Sequence, residues 1–108
     1  MANTMTYAPG LIHIVPDGST DYNSATLFGG GLILTAIKFY PSAVGDVLEV
    51  RNGGATGTVI TKLVSASGGV VKDFFINNMT YKPYICAPAA GGNSWSTAAN
   101  VRIILEYE

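Results

Sequence analysis

Gly31 to Asn52 reads GLILTAIKFYPSAVGDVLEVRN, and the fold depends on how this stretch is parsed. Leu32 to Tyr40 is the longest apolar run, Pro41-Ser42 interrupts it, and a second run extends from Asp46 to Arg51. Both runs carry the β-branched and aromatic residues that suit a pleated surface, and the gap between them holds turn formers. The expectation is two central strands joined by a short connection, with further strands laid against this pair. In the second run Leu48 and Val50 alternate with Glu49 and Arg51, the period of a sheet with one wet face. In the first run both parities are mostly apolar, Leu32, Leu34 and Ala36 against Ile33, Ile37 and Phe39. Burial on both faces produces that pattern, either between two sheets or against another subunit.

Outward from this centre, Leu11 to Val15 is a short strand closed by the turn signal Pro16-Asp17-Gly18. Thr26 to Phe28 suggests a short edge strand before the Gly29-Gly30-Gly31 triplet, which favours a bend or bulge. Thr58 to Val64 and Val70 to Ile76 read as strands, and Asn52 to Gly57, Ser65 to Gly69 and Asn77-Asn78 as connections. Thr80 to Cys86 reads as an edge strand, because Pro83 has no N–H to give to a ladder. Pro88 to Thr97 is a loop centred on Trp95, and Ala98 to Tyr107 is a closing strand. No segment sustains a 3.6-residue period over three turns. The class expected is all-β: an antiparallel sandwich or jelly-roll-like small barrel of about seven or eight strands. It would form a single domain over residues 11–108, preceded by a flexible N-terminal arm, residues 1–10, that orders on a neighbour.

The 108 residues suit one domain. Only 12% of them are charged, about half the roughly 25% usual in soluble domains. Gly, Ser, Thr, Asn and Ala must cover much of the surface, and such surfaces keep protomers apart poorly. Either an assembled protein or a secreted-type β domain with a neutral surface fits. The net charge is −1, with basic residues scattered singly, so nothing is gathered to neutralise phosphates and nucleic acid is not an expected partner. No apolar run reaches the roughly 20 residues of a membrane span, and Met1 to Gly10 shows no signal-peptide pattern. Synthesis in a cytoplasm is the simplest reading.

Candidate chemistry is sparse. The single histidine, His13, sits within an apolar strand, and no Gly-x-Ser-x-Gly elbow is present, so an enzyme is not expected. Asp17 and Asp21 have a calcium-like spacing but lack further acidic ligands, and an Asx-type turn explains them better. Cys86, the single cysteine, suits a buried inert thiol. Gly29-Gly30-Gly31 is followed by a strand and by no Lys-Ser/Thr, so it is not a phosphate loop. No catalytic, metal or cofactor residue is assigned. Tyr22, Tyr40, Tyr81, Tyr84 and Trp95 lie in or beside loops, as stacking platforms do in carbohydrate-binding modules. Trp95 could equally cap the sandwich or anchor a subunit contact.

Asp46-Val47-Leu48-Glu49-Val50-Arg51-Asn52-Gly53 with Val59-Ile60, Lys82-Pro83-Tyr84-Ile85, and Val101 to Glu106 together resemble small all-β virion proteins of tailed bacteriophages. These are capsid decoration (cement) proteins and short tail or fibre domains. The likeness extends from about Ile37 to the end and lies in texture, so it carries over no functional residue. It implies a non-enzymatic virion protein, made in the host cytoplasm, that seals joints between capsid subunits, commonly around a threefold axis. The partners implied are a second and third copy of the chain and the major capsid protein or another virion protein. Binding only the assembled shell would stabilise it by mass action. Leu32, Leu34, Phe39, Tyr40, Tyr84 and Trp95 are then the candidate interface residues. The alternative is a carbohydrate-binding sandwich using Trp95 and the loop tyrosines.

Overall fold

The structure, a computed structural model, describes residues 3–26, 28–66, 69–88 and 91–108. Their strands are β1 (Thr4–Ala8), β2 (Leu11–Val15), β3 (Tyr22–Asn23), β4 (Leu32–Tyr40), β5 (Val47–Asn52), β6 (Thr58–Val64), β7 (Val71–Phe74), β8 (Thr80–Tyr81), β9 (Pro83–Ile85) and β10 (Arg102–Tyr107). One sheet has the order β1-β2-β10-β4-β7, with β8 also paired to β4; the other has the order β3-β9-β5-β6. Every pairing is antiparallel. Working inward from the two chain ends, β2 pairs with β10, β3 with β9 and β4 with β7, and the β5–β6 hairpin lies at the centre of the winding. That nesting is the jelly-roll path. The all-β sandwich is as expected, but the described residues form ten strands where seven or eight were expected, and the sheets are open where a small barrel would be closed.

The central stretch behaves differently from its expectation. β4 and β5 are not a pair: β4 lies in the first sheet and β5 in the second, and residues 41–46 carry the chain across. Nor is β4 covered on both faces. Ala36 and Leu34 stand opposite consecutive β10 residues, Glu106 and Tyr107, so Thr35 is an extra residue, a β-bulge. A bulge inverts the side-chain alternation. Leu32 and Leu34 before it, and Ile37 and Phe39 after it, therefore reach the same core despite opposite parity. Ile12, Ile14, Ile103 and Leu105 join them from this sheet, and Leu48, Val50, Leu63 and Ile85 oppose them from the other.

Two further differences have local causes. Pro83 begins β9, which lies between β3 and β5 and is not an edge. The first residue of a strand tolerates the missing N–H, and Lys82 next to it bonds instead to Asn52, its N–H donating to Oδ1 at 2.8 Å. Within the stretch expected as a free arm, Thr4–Ala8 forms β1, paired along its length with β2. Asn3 reinforces it: its side chain donates to Thr20 O and accepts from Asp17 N. The edge strand expected at Thr26–Phe28 includes Leu27, which lies outside the described residues; Ser24–Thr26 is a 3-10 turn.

Candidate interaction surfaces

The sequence-derived interface residues divide by burial. Leu32, Leu34 and Phe39 are core residues of the chain itself and offer no surface to another subunit. This corrects the expectation that β4 packs at a subunit interface; the bulge at Thr35 explains its apolar parities. Tyr40 is exposed at the end of β4. Tyr84 is half-buried on β9 and its hydroxyl donates to Asp21 Oδ2 at 2.5 Å, which pushes the phenol up to about 12. Trp95 is half-buried against the core with its indole N–H enclosed.

Beneath the loop that carries Trp95 is a polar layer that the alternation of β5 did not reveal. The Glu49 and Arg51 face was expected to be wet. Instead Glu49 is buried and its carboxylate meets Arg51 Nη2 at 2.5 Å, while Arg51 Nη1 donates to Gly57 O at 3.1 Å. Gly91 and Gly92 pass directly over this pair: a Cβ on Gly92 would lie 2.6 Å from Glu49 Oε2, and one on Gly91 2.6 Å from Cys86 Sγ. Cys86 is accordingly buried, and desolvation pushes its thiol up. At the other end of the loop, Asp46 is 1% exposed. Its Oδ2 accepts from Ser42 N at 2.7 Å, Ala43 N at 3.1 Å and the Ser42 hydroxyl. Its Oδ1 accepts from Ser96 N at 2.9 Å and the Ser96 hydroxyl at 3.0 Å. One carboxylate thus ties the β4–β5 connection to the loop before β10.

The remaining candidates serve local structure. Asp17 Oδ1 accepts from Ser19 N and Thr20 N, both at 2.8 Å, an Asx turn, and these bonds hold its carboxyl below the usual value. Asp21, engaged by Tyr84 and by Ala87 N, serves a different contact. Among the described residues no three His, Cys, Asp or Glu side chains form a group able to hold a metal. His13 lies across from Thr6 on β1 and Ile104 on β10. No helix among the described residues is long and apolar enough to cross a membrane.

What sequence reading missed lies between β7 and β8. Phe74 is 62% exposed, Met79 57% and Ile76 94%, while Phe75 and Tyr81 pack ring to ring at 5.7 Å and Asn77 donates to the Tyr81 hydroxyl. The connection is therefore held by Phe75 and Asn77, while Ile76 and Met79 on it and Phe74 at the end of β7 are turned outward. The alternation of Phe74 and Ile76 with Phe75 was the available signal. Comparison with family models, curated proteins and solved structures gives no significant match.

Proposed function

We propose that this protein is a non-enzymatic structural protein that works by burying surface in an assembly, as a decoration (cement) protein on a tailed-phage capsid. It would self-associate as a trimer and bind the major capsid protein of the virion. The observation that carries the reading is Ile76 on the β7–β8 connection, almost wholly in solvent between exposed Phe74, the last residue of β7, and exposed Met79. Removing such a side chain from water is worth about 1.5–3 kcal/mol, and monomers rarely leave several together exposed without use. Two features add support. The chain has few charges to hold copies apart. The outer edge of β1 also carries no charge or proline from Thr4 to Ala8, the residues with which exposed edges are usually guarded. Jelly rolls serve capsids, lectins and enzymes alike, so the choice rests on the surface.

The test is the mass in solution by light scattering over a range of concentration, with sedimentation alongside phage capsids. A closed oligomer or co-sedimentation is the expected result. A monomer at every concentration that also stays behind when capsids sediment overturns the proposal.

A further inference from the structure

The two flanks of the sandwich differ. Where β6 and β7 approach, Thr61 donates across the gap to Asp73 at 2.5 Å. Where β1 and β3 approach, a cleft of about 360 Å3 lies open, within the range of small-ligand sites. Met5, Tyr7 and Tyr22 supply its apolar lining, and Asn3, Asp21 and Asn23 its polar groups.

We infer that this cleft binds a neutral pyranose saccharide. Tyr7 is 45% exposed, and its ring is braced by Phe28 at 6.4 Å, which is braced in turn by Tyr107 at 5.5 Å. A tyrosine face is electron-rich, and the C–H face of a pyranose presents it with partial positive charge. The polar groups are fixed in advance. Asn3 is held by Thr20 O and Asp17 N, Asp21 by Tyr84 and Ala87 N, and Asn23 Oδ1 by Ala25 N at 3.0 Å. Each of these bonds uses only part of what a carboxamide or carboxylate can make, leaving donors and acceptors that suit hydroxyls, which do both. Other ligand classes fit less well. No Lys or Arg is among the described lining residues, and Asp21 would repel a phosphate or a sugar acid. A purely apolar ligand would strip water from Asp21 and the two asparagines without replacing its hydrogen bonds. The inference does not rest on the assembly reading.

The experiment is a titration of the ¹⁵N-labelled full chain with cellobiose, maltose and N,N′-diacetylchitobiose, followed by amide shifts. At least one of the three is expected to shift Met5, Tyr7 and the residues from Asp21 to Asn23 in a saturable way. Tyr7→Ala should weaken that binding about tenfold, the size of one lost contact. Because Tyr7 also braces Phe28, Asn23→Ala at an exposed position is the second variant, with the same expected direction. Trp95→Ala should bind as the parent does. The inference is overturned if no disaccharide shifts the cleft residues up to its solubility, if Asn23→Ala binds unchanged, or if the shifts centre on Trp95. None of these results bears on Ile76.

Discussion

Asn93 sets its carboxamide against the backbone of Glu49, Oδ1 accepting from Glu49 N at 2.7 Å and Nδ2 donating to Glu49 O at 3.3 Å. The side chain stands in for a peptide group. β5 meets β9 at Arg51 and Asn52, and meets the late loop at the Val47–Ser94 bridge. Asn93 fills the ladder between these contacts and also donates to Cys86 O at 2.9 Å. A loop of small residues is thereby fastened along a strand.

Asn93→Ala should therefore cost about 2–4 kcal/mol, since it leaves buried backbone groups of Glu49 and Cys86 without partners. The urea midpoint falls while the slope stays constant. Cys86 reports on the loop itself: its buried thiol reacts slowly with a disulfide reagent in the parent protein and faster in the variant. A lowered midpoint with unchanged labelling in native buffer would mean that Asn93 stabilises the fold without holding this loop shut.

Asp46 is expected to contribute to the response to acid. Burial pushes its carboxyl up, but the bonds from Ser42 and Ser96 outweigh burial and hold it below 3.8. With the folded value below the unfolded one, the carboxylate stabilises the fold above about pH 4. That contribution is lost as pH falls through the folded value. Asp46→Asn should be less stable at neutral pH and should lose less stability on acidification than the parent. The comparison is made by thermal unfolding at a series of pH values. An acid limb as steep in the variant as in the parent would assign it to other carboxylates, of which Asp17 is also lowered.

Two glycines separate backbone strain from collision. Gly45 and Gly92 have φ of +94° and +81°, but a Cβ on Gly45 meets nothing within 4 Å, whereas on Gly92 it meets the Glu49 carboxylate. Gly45→Ala should cost only the left-handed backbone penalty, about 1–2 kcal/mol. Gly92→Ala adds overpacking against the buried Glu49 carboxylate, for a total of about 2–4 kcal/mol. Chemical denaturation of both variants checks the order; equal costs would show that the loop lifts away from Glu49 freely.

The sequence revealed these features unevenly. Leu11–Val15 and Thr58–Val64 could be read to the residue, because turn formers bound them. β4 could be located but not oriented: apolar residues at both parities describe a doubly buried strand as well as a bulged one, and nothing in LTA at 34–36 marks Thr35 as the extra residue. The covered face of Glu49 and Arg51 was hidden for another reason. Its lid consists of Gly91, Gly92 and Asn93, whose composition says loop and whose position only the fold supplies. Pro83 was misplaced because the rule for edge strands applies to interior positions, and here it is the first residue of its strand.

Ile76 provides the sharpest separation of folding from function. It is 94% exposed and belongs to neither the core nor the residues packed against it. Ile76→Lys should therefore leave unfolding free energy within about 0.5 kcal/mol of the parent. In an interface the same change places an ammonium where an apolar group was buried, a cost of several kcal/mol unless the charge is paired. Light scattering and capsid co-sedimentation of Ile76→Lys should thus show lost association by a protein of parental stability. Phe74→Ala gives an independent check at a residue whose ring already lies under Lys72 Nζ at 4.2 Å. If both variants associate as the parent does, the β7–β8 connection is not the contact, and the assembly reading loses the observation on which it stands.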